Sequence, residues 1–226
     1  MFRYMDPAYL MLILFSMVLG GLTQAYIKST YAKWSKVRSG LGSSGADVAR
    51  RMLDQNGAGA CGIGTVAGTL TDHYDPRDNC LHLSADNYKG GSVASVAVAC
   101  HEAGHAVQTA KGYLPGRMRT ALVPVVNFAQ SIWILVFLAG TMMGLLGLMQ
   151  LGIILFATSV VFQLVTLPVE IDASRRAVKY LAQTGSGIDQ KGAKQVLTAA
   201  ALTYVAGALV SIANLAYLVS RSGSRR

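Results

Sequence analysis

The 226 residues are 52% hydrophobic and only 14% charged, which excludes an ordinary soluble globular domain. The formal net charge of +9 raises nucleic-acid binding, but the cations are scattered and form no basic-aromatic stripe, so no nucleic-acid partner is expected. The composition is that of a chain whose first partner is the lipid bilayer.

Ala8 to about Tyr26 is the first stretch long enough to cross a bilayer core of about 30 Å. Thr23-Gln24-Ala25 loosely fits a signal-peptidase site, but the flanks read the other way. Only Arg3 precedes the stretch, offset by Asp6, whereas Lys28, Lys33, Lys36 and Arg38 follow it. A secretory signal carries its positive charge in front, so an uncleaved anchor with its N-terminus outside is expected. Lys28 to Arg38 suits contact with anionic headgroups.

Gly40 to Gly45 is a Gly/Ser-rich linker. Ser43 or Ser44 caps a helix through Gln55, which Asn56-Gly57 stops. Val48, Met52 and Leu53 make one side of it apolar. Gly57 to Gly64 is Gly-rich and flexible, and Gly57 to Gly68 reads equally as a mobile flap or a plain loop. Extended segments are expected at Thr65 to Ala67 and Thr69 to His73, then a turn at Asp75 to Asp78. Asn79 to Ser84 alternates Cys80, His82 and Ser84 with Leu81 and Leu83, a strand pattern. As an edge strand it would pair with an extended peptide, and otherwise it closes a small sheet. A short helical turn runs from Ser84 to Tyr88, Gly90-Gly91 breaks it, and Ser92 caps a helix through Ala110.

Ala121 to Pro168 is 48 residues without Asp, Glu, Lys or Arg. As one helix it would measure about 72 Å, so it folds back as a hairpin near Gly144 to Gln150. The last apolar stretch is Leu197 to Val219. The chain therefore divides into an anchor (1–27), an α+β unit (28–120), a hairpin (121–168), a charged segment (169–196), and a last crossing with a short basic tail (197–226). Residues 28–120 and 169–196 hold 16 of the 20 Lys+Arg, and the positive-inside rule places both in the cytoplasm. The fold expected is a mainly α multi-pass membrane protein of about four transmembrane helices with a small cytoplasmic α+β unit.

His101-Glu102-Ala103-Gly104-His105 lies on the Ser92 to Ala110 helix. Four residues is just over one turn, so both imidazoles project from one face and can grip one Zn²⁺, while Glu102 can reach a zinc-activated water. With four His and two Glu in the chain, this pentapeptide arises by chance in about 6 of 10,000 shuffles. A helix with surface His and Glu is the plainer reading, but Val96 to Cys100 and Ala106-Val107 are too apolar for a solvated face.

A catalytic zinc takes three protein ligands and leaves one position open. Glu170 is the only other glutamate, and it follows the third crossing on the side of the motif helix. Ala173, Ser174 and Ala177 on its face let that helix come close. Asp172 is the rival ligand; about 200° round the helix from Glu170, it cannot share the metal and can instead pair with Arg175 or Arg176. His73 or Tyr74 either polarises a substrate carbonyl or organises its own turn. Cys61, Cys80 and Cys100 are odd in number and lack C-x-x-C spacing, as free thiols do. Cys100, next to His101, is either an oxidant or metal sensor or an ordinary buried thiol.

Four blocks together carry a resemblance: His73 to Pro76, Leu81 to Ser84, Ala99 to Gln108, and Leu167 to Ala177. The chain resembles the YugP-like neutral zinc metallopeptidases, multi-pass bacterial membrane proteins, over about Gly45 to Leu218. The resemblance implies a zincin-like unit with one Zn²⁺ per chain on His101 and His105 and Glu102 as catalytic base. The acidic block is also similar in placement to that of HtpX-type membrane proteases, whose E-x-x-A glutamate is the third ligand. It maps onto Glu170 to Ala173, a gluzincin-like set. The chain departs from these patterns at Ser174, where Asp is expected, and at Asp86-Asn87, where a more apolar pair is expected.

The expected function is a membrane-bound zinc endopeptidase acting on membrane or membrane-proximal proteins, with a protein or peptide substrate. A site-2-type intramembrane protease ranks low, because the motif helix is short and no L-D-G occurs. The alternative from another class is a non-catalytic zinc-binding scaffold or chaperone partner. The sequence sets neither the substrate nor the oligomeric state.

Overall fold

The computed structural model describes residues 6–184 and 188–223. Arg3 and the basic tail at Arg225 and Arg226 lie outside them. The elements in chain order are α1 (Pro7–Trp34), α2 (Gly45–Gln55), β1 (Gly62–Val66), β2 (His73–Asp75), β3 (Cys80–Ser84), α3 (Ala85–Lys89), α4 (Val93–Ala110), α5 (Leu114–Met143), α6 (Leu146–Gln183) and α7 (Gln190–Gly223). Four of them, α1, α5, α6 and α7, are long and apolar enough to cross a membrane.

The chain forms two compact units. The first comprises Met1–Thr23, Met118–Leu167 and Thr203–Arg226. Here large apolar side chains such as Leu14, Phe128 and Met142 point outward, as suits a lipid solvent. Gly144, in the left-handed region at φ +68°, lets α5 turn back into α6. The hairpin closes tightly, because a Cβ on Gly152 would stand 2.7 Å from Phe137 Cβ. Asp6, near the start of α1, accepts a hydrogen bond from Tyr217 Oη at 3.0 Å on α7.

The second unit comprises Gln24–Arg117 and Pro168–Leu202. Ser44 caps α2 through a full capping box with Asp47. The apolar side of α2 (Val48, Met52, Leu53) is sealed in a core with Leu81, Leu83, Val93 and Val96. Each such side chain contributes roughly 1.5–3 kcal/mol through burial. Around Arg38, the stretch after α1 pairs with Ser92, fixing the entry to α4. Trp34 donates to Gln195 Oε1 at 3.0 Å and ties the end of α1 to α7.

Three local expectations are corrected. Strand β1 starts at Gly62, inside the stretch read as flexible, because Gly62 to Val66 gains a parallel ladder to β3. The segment Thr69 to His73 is not extended as a whole: Gly68 and Leu70 take positive φ and turn the chain, leaving only His73–Asp75 as strand. The sheet order is β1-β3-β2, so Cys80–Ser84 is the central strand, paired on both sides and closed to strand addition by a peptide. In addition, α6 runs unbroken through Pro168 to Gln183, so Glu170 and Asp172 lie on the same helix as the apolar stretch before them.

Candidate metal centre

Helix α4 starts at Ser92, whose hydroxyl accepts from Ser95 N at 3.0 Å, and is buried along nearly its whole length. His101, Glu102 and His105 are each 8–9% exposed, and Glu170 on α6 is 2% exposed. The apolar lining of α4 thus carries the pentapeptide into the core rather than onto a solvated face.

What allows α6 to approach is the absence of side chain at Gly104. A Cβ there would stand 2.7 Å from Ala173 O and 3.1 Å from Ala173 Cα. Ala173 and Ala177 are fully buried against this contact. The two backbones therefore meet at the turn that separates the two histidines, and Glu170, one turn earlier on α6, reaches both.

Glu170 Oε2 lies 3.2 Å from His101 Nε2 and 3.5 Å from His105 Nε2. The two imidazoles stand edge-on, with centroids 4.8 Å apart and planes at 82°. One ligand-type atom from each of the three residues falls within 4.8 Å of the others. Ligands on a tetrahedral zinc at about 2.0–2.1 Å are separated by roughly 3.3–3.5 Å, so this donor set fits the ion.

The outer ring nitrogens are also engaged. His105 Nδ1 lies 3.0 Å from Gln108 Oε1. Gln108 Nε2 donates to Val169 O and to Asp172 Oδ2, each at 2.8 Å. Its amide orientation is therefore set, Oε1 accepts, and His105 Nδ1 is the donor. That tautomer leaves the Nε2 lone pair facing Glu170 and available to a metal. His101 Nδ1 is 3.1 Å from Ser174 Oγ, so the serine at the position where Asp was expected still contacts the ring.

Asp172 is accounted for without a metal. It accepts from Gln108 and from Arg176 Nε at 2.6 Å, one helical turn away. His73 is exposed on β2, with Nδ1 2.9 Å from Thr71 O and its ring stacked on His82 at 4.9 Å. Tyr74 donates to Asn79 Oδ1 at 3.0 Å. Neither belongs to the ligand group among the described residues. Cys61, Cys80 and Cys100 are free thiols. Cys100 is fully buried, and burial drives its thiol far above the ordinary range, which suppresses the reactive thiolate.

Glu102 stands apart from the ligand group. Burial pushes its carboxyl up to about 7; His101 opposes the shift, and Glu170 and Asp72 reinforce it. A buried carboxyl poised near neutrality is suited to exchanging a proton. Asp72 in turn accepts from Ser84 N at 2.7 Å and from Asn87 Nδ2 at 2.8 Å, and Asn87 Oδ1 accepts from Tyr31 Oη at 2.8 Å. Sequence reasoning missed Gly104, Gln108 and this Asp72–Asn87–Tyr31 chain. Gln108 had a usable signal: a polar residue three positions after His105 on an otherwise apolar helix.

Residues 9–223 match the model of a family described as "Putative neutral zinc metallopeptidase". The chain is also 47% identical over 194 residues to the "Putative membrane protease YugP" of Bacillus subtilis (strain 168), covering 85% of this chain and 86% of that protein. No solved structure gives a significant match. On these matches the chain belongs to the family that bears the neutral zinc metallopeptidase description.

Proposed function

We propose that this protein is a membrane-bound zinc endopeptidase that hydrolyses peptide bonds of membrane or membrane-proximal proteins. The observation that carries this reading is the convergence of one ligand atom each from His101, His105 and Glu170 within 4.8 Å, beside a buried glutamate outside the group. His101, His105 and Glu170 would hold one Zn²⁺, which when bound polarises the scissile carbonyl and acidifies water. Glu102 takes the proton of the attacking water and returns it to the leaving amine. Gln108 and Ser174 hold the two imidazoles in the orientation that exposes Nε2. Asp172, tied to Arg176, steadies Gln108.

The distribution of Lys and Arg supports placing the site on the cytoplasmic side. Residues 28–120 carry 11 and residues 169–196 carry 5, against 4 in the rest of the chain. The membrane protease name of the Bacillus subtilis relative supports a protease that works at the membrane.

The test is zinc content by elemental analysis in detergent-purified wild type, Glu102→Gln and Glu170→Ala, with casein cleavage alongside. The expected result is about one zinc per chain in wild type and Glu102→Gln, depletion in Glu170→Ala, and cleavage by wild type alone. Full cleavage by Glu102→Gln would overturn the mechanism, and full zinc in Glu170→Ala would overturn the ligand set.

A further inference from the structure

A groove of about 440 Å³ opens between α6 and α7 within the second unit. Its lining changes character along the helices. Arg175 and Lys179 stand one turn apart on α6, and Lys194 faces the same groove from α7. The rest of the wall includes Ile171, Leu197 and Ala201.

The chain fixes which end is which. The uncharged stretch of α6 ends at Pro168, so residues from Ile171 to Lys179 run away from the apolar segment. In α7 the residues from Lys194 to Ala201 run into one. The apolar part of the groove therefore continues the apolar surfaces of the two helices, and the cations lie at its outer end.

None of the three cations has an ion-pair partner among the described residues, whereas the neighbouring Arg176 is held by Asp172. Three like charges around one small groove attract a counter-charge. A soluble phosphate would use only the cationic end and leave Ile171 and Leu197 uncovered. A bilayer lipid satisfies both ends, with its phosphate on the cations and an acyl chain on the apolar wall.

We infer that the α6–α7 groove is a binding site for one anionic phospholipid. It rests on membrane insertion and not on peptidase activity, so the two readings fail separately. The groove shares one wall residue with the metal centre: Ser174, whose Oγ lies 3.1 Å from His101 Nδ1. A bound lipid therefore sits against the residue that contacts a histidine of the site.

The test uses the full chain purified in a neutral detergent, with lipid retention read by native mass spectrometry from equimolar phosphatidylglycerol and phosphatidylcholine. Wild type retains one phosphatidylglycerol in preference. Arg175→Gln/Lys179→Gln/Lys194→Gln is expected to lose affinity on the order of 100-fold, from three interfacial cations. The charge-preserving Arg175→Lys/Lys179→Arg/Lys194→Arg keeps binding within about threefold, as does Lys89→Gln/Lys111→Gln, which removes cations of the second unit outside the groove. Glycerol 3-phosphate at millimolar excess leaves the lipid in place.

Equal retention of the two lipids overturns the inference. So does full binding by the neutral triple variant, an equal loss in the Lys89/Lys111 control, or displacement by glycerol 3-phosphate. Melting temperatures separate loss of the site from loss of the fold. Should the neutral variant unfold, the lipid competition and the charge-preserving variant still decide.

Discussion

Gly104 and Ala173 meet backbone to backbone, with 2.7 Å between the position of a Cβ on Gly104 and Ala173 O. The contact sits between the two histidines in sequence and beside Glu170 in space. Alanine at 104 would gain about 1 kcal/mol in helix propensity. It would meet a main-chain carbonyl that cannot swing aside, and overpacking of this kind costs about 1–3 kcal/mol or forces the helices apart. Separation of α4 from α6 draws Glu170 away from His101 and His105. Gly104→Ala should therefore bind zinc at least about tenfold more weakly than wild type. Competition with a chelator measures this, and unchanged affinity would show that the close approach is not what assembles the site.

Gln108 links Asp172 to His105. Replacement by Ala removes the acceptor of His105 Nδ1 and two donors, one to the buried Val169 O and one to the half-buried Asp172 Oδ2. Loss of such a supporting contact typically costs 10–100-fold in metal affinity. Gln108→Ala should fall in that range, and Asp172→Asn should fall less, because the asparagine oxygen still accepts from Gln108. Equal losses in both would mean that Asp172 acts directly on the metal.

Much of this architecture is legible in the residues. Ser44 and Ser92 announce the starts of α2 and α4, the charge-free run requires a fold-back close to Gly144, and the two glutamates mark the two sides of the site. Local patterns fail where a long-range partner decides. Gly62 to Gly64 reads as flexible until β3 supplies a ladder, and Cys80–Ser84 has one alternation whether it lies at an edge or in the middle. The contact at Gly104 is legible from one side only: Ala173, Ser174 and Ala177 mark a small face on α6, but nothing marks Gly104, 69 positions away, as the residue that meets it.

The buried Glu102 gives a pH signature in metal-free protein. Its carboxyl sits at about 7 in the fold against an ordinary 4.5. A raised carboxyl contributes stability that is fully present below about pH 4.5 and is lost as pH rises through 7. Between pH 5 and pH 8 that loss amounts to about 2–3 kcal/mol, or several degrees in melting temperature. Glu102→Gln has no carboxyl to ionise, so its advantage over wild type should widen from pH 5 to pH 8. Parallel melting curves at the two pH values would place Glu102 in contact with solvent instead.

Asn87 is fully buried where an apolar residue was expected, and its amide serves two partners. It donates to Asp72 and accepts from Tyr31 Oη. Leucine at 87 would match the volume and add apolar contact, yet it would leave a tyrosine hydroxyl and a carboxylate each short of a partner. An abandoned buried group costs about 1–3 kcal/mol, more when charged, which outweighs the transfer gain of one side chain. Asn87→Leu should therefore lower stability by about 2–4 kcal/mol. Tyr31→Phe alone should cost less, because Asn87 Nδ2 still donates to Asp72 and only Asn87 Oδ1 loses its donor. In the double variant the tyrosine hydroxyl is no longer stranded, so Asn87→Leu should cost less on the Tyr31→Phe background than on wild type. Additive losses in thermal denaturation of the four forms would show that the two residues are not energetically coupled through this hydrogen bond.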